Sequence, residues 1–123
     1  MQSTGKPWLG SRRQGKRDKL VAMKGKEFCF RLRKVGGRSL LAVCDSEIVG
    51  KKIKYREICF HVSGSFYGNE KTGENEMLEK VRQSDIVNVV GKRIVKLLVD
   101  NKLVNEDCVL WMGTTPHVQI VRV

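Results

Sequence analysis

The stretch SDIVNVVGKRIVKLLVDNKLV, Ser84 to Val104, decides the fold. Its first part, Asp85 to Val90, is a short run rich in β-branched residues, long enough for one buried strand. Gly91 then lets the chain turn. Ile94, Val95, Leu97, Leu98 and Val99 follow at the spacing of an amphipathic helix, with Lys92, Arg93, Lys96 and Asn101 on its wetter side. A strand feeding a helix through one glycine is an α/β unit against which flanking segments can pack.

Toward the N-terminus, Glu74 to Gln83 reads as a second helix. Met77, Leu78 and Val81 form its apolar stripe, and Glu74, Glu76 and Glu79 its wet side. Glu57 to Ser63 reads as a strand with Ile58, Phe60 and Val62 inward and His61 outward. Glu27 to Val35 alternates, with Phe28, Phe30 and Leu32 on one face and Cys29, Arg31 and Arg33 on the other. Gly36-Gly37 is a strong two-residue turn signal because both glycines accept positive φ. Ser39 to Asp45 returns as a more buried strand, setting Phe30 opposite Val43, Leu32 opposite Leu41 and Cys29 opposite Cys44. Between these elements, Ser46 to Tyr55 reads as a polar connection. Gly64 to Gly73 reads as a glycine-punctuated loop with Phe66 buried and Tyr67 at the edge. Beyond the central helix, Val109 to Met112 and Val118 to Val123 read as short strands joined by Gly113-Thr114-Thr115-Pro116-His117. The expectation is α+β: a mainly antiparallel sheet of about five or six strands with two helices on one side. Residues 27–123 make one domain, preceded by a basic arm, 1–26.

Charge is the outlying quantity. The 123 residues carry 24 Lys and Arg against 13 Asp and Glu, a net +11. The arm concentrates this excess in Lys6, Arg12, Arg13, Lys16, Arg17, Lys19, Lys24 and Lys26, against Asp18 alone. A segment so charged and so poor in aliphatic residues cannot bury enough apolar surface to order itself, and its usual partner is a polyanion. Trp8 is a candidate for stacking on a base. Met23 is an alternative start that would leave a much less basic chain. The arm is Arg-rich and acid-poor, as transit peptides are, but its glycines and missing amphipathic period argue against one. No run of about 18 apolar residues exists to span a membrane, and no secretory signal opens the chain.

Several chemistries are disfavoured by spacing. Cys29, Cys44, Cys59 and Cys108 form no C-x-x-C pair, so a metal site is not expected; each sits in an apolar run as a small hydrophobe. Opposition of Cys29 and Cys44 leaves a cross-strand disulfide as an alternative. No phosphate-binding glycine motif appears, so no nucleotide cofactor is expected, although Gly91 with Lys92 and Arg93 could offer a helix N-terminus to an RNA phosphate. An enzyme would need His117 beside Asp45 or Asp85 as a general base. Otherwise, His117 and Asn88 are loop-capping residues.

Several groups together resemble the archaeal family called domain of unknown function 424. They are Leu41-Ala42-Val43-Cys44-Asp45 with Gly50-Lys51, then Phe66-Tyr67-Gly68, then Asp85 to Gly91, and Gly113 with Pro116-His117-Val118-Gln119-Ile120. The basic arm and the GTTPH loop depart from that family, which tends to be acidic and tail-free. The resemblance implies an α+β fold, a cytosolic archaeal setting and companionship with the translation machinery. It marks Asp45, Tyr67, Asn88, His117 and Gln119 as the polar residues inside the motifs, and supplies no catalytic role. The functional expectation is a non-enzymatic, cytoplasmic, ribosome-associated RNA-binding protein, a monomer within a larger assembly of rRNA and ribosomal proteins. Phosphate contacts are expected from the arm and from Arg31, Arg33, Lys51, Lys52 and Lys54, and base stacking from Trp8 and Tyr67. Membrane and small-molecule partners are not expected. The alternatives are an enzyme of RNA or nucleotide metabolism using Asp45 and His117, and a protein-binding adaptor in translation.

Overall fold

The computed structural model describes residues 27–68 and 70–122. Gly36 and Gly37 adopt φ of 59° and 83°, the left-handed conformation a two-residue hairpin needs. They join β1 (Phe28–Val35) to β2 (Arg38–Asp45) in the expected register, with Phe30 against Val43, Leu32 against Leu41 and Cys29 against Cys44. The Ser46–Tyr55 segment is more than a polar connection. After a 3-10 turn at Ser46–Ile48 it forms β3 (Lys52–Tyr55), which pairs with β4 (Ile58–His61) as a separate two-stranded ribbon. The glycine-rich segment beyond it holds a short helix, α1 (Gly64–Tyr67), and β5 (Glu70–Thr72). Helix α2 (Glu74–Gln83), strand β6 (Ile86–Val90) and helix α3 (Lys92–Asp100) follow as the periodicity predicts. A 3-10 turn at Glu106–Cys108 leads to β7 (Leu110–Met112) and β8 (Thr115–Val121). The expected five-residue link between these last two strands shrinks to Gly113-Thr114, with Gly113 at φ 69°.

Six strands form one sheet in the order β5-β1-β2-β6-β8-β7. Only β2 and β6 run parallel; every other pair is antiparallel. On one face, Phe28, Phe30, Leu41, Val43, Val87, Val89 and Val118 pack against Met77, Leu78 and Val81 of α2 and Ile94, Val95 and Leu98 of α3. The other face carries a smaller core of Cys29, Ala42, Cys44, Val90 and Met112, covered by Tyr67, Val62 and the inner side of the ribbon, Ile53, Tyr55 and Phe60. Ile58, expected inward, is 56% exposed.

Candidate functional site

The polar motif residues fall into two groups on opposite faces of the sheet. On the helix face, the end of β2 brings the Asp45 carboxylate under the start of α3. Gly91 has no side chain to cap that helix, so Asp45 does it from a distance. Its Oδ2 accepts the Arg93 amide at 2.9 Å and its Oδ1 the Ile94 amide at 2.8 Å. Two of the amides a helix N-terminus leaves orphaned are thereby satisfied. A Cβ on Gly91 (φ 126°) would lie 2.6 Å from the Asp45 carboxyl carbon, so both glycine and aspartate are demanded by the same contact. Burial pushes the Asp45 carboxyl up to about 6, against the opposing pull of those two amides and the Arg93 charge. Arg93 itself stacks on Phe28 and pairs with Glu47 at 2.6 Å. The terminus that could have offered itself to an RNA phosphate is therefore already filled by a carboxylate.

On the ribbon face, Asn88 sits at the centre of a three-residue network. Its Oδ1 accepts the Tyr67 hydroxyl at 2.5 Å and lies 3.3 Å from His117 Nε2, so His117 donates from that nitrogen. The His117 ring tilts against Phe60 at 5.7 Å, and burial pulls its pKa down, in favour of the neutral imidazole. Burial raises the Tyr67 phenol. The two aromatics exchange the places expected of them: Tyr67 is 3% exposed, and Phe66 lies at the edge with the Arg33 guanidinium 4.9 Å over its ring. A bond to Asn88 gives a buried hydroxyl its partner, which is why the tyrosine goes inside. It also removes Tyr67 as a stacking platform for bases. Gln119 stands opposite Asn88 in the ladder and is exposed. Asp45 and His117, on different faces, do not form the pair an enzyme would use. Asp85 accepts the Ser39 amide and hydroxyl, tying β2 to the start of β6.

The expected cations divide three ways. Arg12, Arg13, Lys16, Arg17, Lys19, Lys24, Lys26 and Trp8 lie outside the described residues. Arg31 and Arg33 are engaged: Arg31 donates to the Ser65 carbonyl at 3.0 Å, and Arg33 to those of Ser65 and Phe66 at 3.2 and 3.0 Å. They satisfy the orphan carbonyls at the end of α1. Gly68 (φ 81°) lets that end approach β1, since a Cβ there would sit 2.3 Å from the Phe30 carbonyl oxygen. Lys52 and Lys54, which alternate with the inward Ile53 and Tyr55, are exposed, as is Lys51 just before β3, and none of the three is in an ion pair among the described residues. Cys29 and Cys44 are buried with free thiols, and burial pushes the Cys44 thiol up to about 12; Cys59 and Cys108, expected in apolar surroundings, are exposed. Among the described residues, no three His, Cys, Asp or Glu side chains converge on a metal position, and no helix is long and apolar enough to cross a membrane.

A family model described as "Protein of unknown function (DUF424)" matches residues 33–123. The chain belongs to the DUF424 family. A similar solved structure is that of an uncharacterized conserved protein from Methanopyrus kandleri. It is 26% identical, covers 76% of this chain and 90% of its own, and superposes with a TM-score of 0.66. Comparison with curated proteins gave no match. The family match includes Asp45, Tyr67, Asn88 and His117, and the geometry gives each of them a bond inside the DUF424 domain.

Proposed function

We propose that this DUF424 protein is a non-enzymatic RNA-binding protein, a ribosomal or ribosome-associated component that grips rRNA by its phosphates. The observation that carries this reading is the division of labour among polar groups. Tyr67, Asn88 and His117 are bonded to one another and Asp45 to two amides of α3 inside the fold, while Lys51, Lys52 and Lys54, on and just before β3, stand exposed without ion pairs among the described residues. With the arm's surplus, these lysines form a second cationic element suited to tracking a phosphate backbone and reading shape in place of sequence. Arg31 and Arg33 each commit one guanidinium nitrogen to α1 and add positive field.

The test is RNA affinity of the full chain against salt. Converting Arg12, Arg13, Lys16, Arg17 and Lys19 to Gln should flatten the slope of log K against log salt by about 4 if each contacts a phosphate. An unchanged slope would refute the arm's role. Co-sedimentation with ribosomal particles at raised salt addresses the assembly.

A further inference from the structure

A two-residue hairpin turn is closed by a pair that exchanges both backbone bonds, and every second pair of an antiparallel ladder does the same. In the register set by Gly36-Gly37, the amides and carbonyls of Val35, Arg33, Arg31 and Cys29 point at β2. Those of Phe28, Phe30, Leu32 and Lys34 point away from it. Strand β5 takes up the first two, opposite Thr72 and Glu70, and then ends. The outward groups of Leu32 and Lys34 have no hydrogen-bond partner among the described residues. Beside this edge, a cleft of about 530 Å³ lies between β1 residues Phe30, Arg31 and Leu32 and Ser65, Gly68 and Glu70 of the α1–β5 segment.

From this we infer that the free edge of β1 docks an extended acidic segment of a partner protein, which adds to the sheet as a further strand. Strand addition uses main-chain bonds for affinity and alternate side chains for specificity. Leu32, 53% exposed, offers an apolar contact on one side of the added strand. Arg31 and Arg33 set positive charge on the other side, and Lys34 adds a cation on the side of Leu32. The segment that fits alternates acidic and apolar residues. A second copy of this chain does not fit, because an antiparallel β1–β1 pairing would oppose Arg31, Arg33 and Lys34 to one another. RNA does not fit either, since it has no alternating amide and carbonyl to match Leu32 and Lys34. The site lies apart from the ribbon lysines Lys51, Lys52 and Lys54 and does not rest on the RNA-binding proposal.

The experiment titrates full-length protein with a labelled decapeptide alternating Glu and Val, a Lys/Val counterpart, and a ten-nucleotide oligouridylate, following amide hydrogen exchange. The acidic peptide should slow exchange at the Leu32 and Lys34 amides by about tenfold, and the other two probes should not. Lys34→Pro removes an outward amide while leaving the ladder to β2 intact, and should weaken acidic-peptide binding about tenfold. Lys34→Ala, which keeps that amide, should weaken it by roughly threefold or less. Unchanged exchange at both amides, equal binding of the basic peptide, or slowing by oligouridylate alone would each overturn the inference. If Lys34→Pro fails to fold, the exchange pattern of the unaltered chain still decides the matter.

Discussion

The two faces of the sheet solve the same problem, a buried polar side chain, in opposite ways. On the helix face, Asp45 keeps a charge in the core by placing it where two amides and a helix dipole converge. On the ribbon face, Tyr67, Asn88 and His117 keep charge out altogether and share one neutral acceptor. The first device is stiff and sensitive to the atoms packed around it, as the 2.6 Å clash of a Gly91 Cβ with the carboxyl carbon shows. The second is a local clasp, holding α1 and the last strand to the sheet, and its parts are separable.

The largest effect should come from Asp45→Ala. It leaves two amides without a partner and a void below α3, and should destabilise the fold by about 4 kcal/mol in denaturant titration. Gly91→Ala should lose about 3 kcal/mol, from the clash with the carboxylate and the strain at φ 126°. In the Asp45→Ala background the clash is gone, so the two losses should not add. Next comes pH. Because the folded Asp45 pKa lies near 6, above its unfolded value, the native state binds the proton more tightly. Its contribution is fully present below the unfolded pKa and is lost as pH rises through about 6. Stability of the natural chain relative to Asp45→Asn should therefore fall between pH 4 and 6 by about 3 kcal/mol at most, and stay level above. Asp85, whose pKa is lowered by its bonds to Ser39, acts in the opposite sense and cancels in that difference. The smallest effects belong to the clasp. Tyr67→Phe should lose about 1–2 kcal/mol and His117→Ala about 1 kcal/mol, without a new pH dependence near neutrality. Thermal melts of the two variants check both values.

Much of the architecture was legible because the signals were local. Two glycines between alternating strands set the β1–β2 register, and stripes three and four residues apart marked α2 and α3. Strand β3 escaped because Lys51-Lys52-Ile53-Lys54-Tyr55 holds only two apolar residues, whose burial depends on a ribbon folding over a distant core. The parallel β2–β6 pairing has no local signature, since its partners lie more than forty residues apart and are brought together by hairpin and helix. The candidate site was half legible. Motif residues could be named, but not that Asp45 and His117 point to opposite faces. The tyrosine-inside, phenylalanine-outside choice turns on one bond, Tyr67 to Asn88, across 21 residues of chain. No pattern within the Phe66-Tyr67 pair itself contains that bond.

The proposed RNA binding divides the labour: Asp45, Tyr67, Asn88 and His117 hold the fold, and the lysines of the ribbon and the cations of the arm meet the phosphates. Its most direct test is RNA affinity, measured across a salt series, for the full chain carrying Lys51→Gln, Lys52→Gln and Lys54→Gln together, beside Tyr67→Phe and His117→Ala. The salt slope should be shallower by about 2–3 in the lysine variant, and affinity should stay within roughly twofold of the natural chain in the other two. A lysine variant that binds like the natural chain, or a folded His117→Ala that no longer binds, would contradict it.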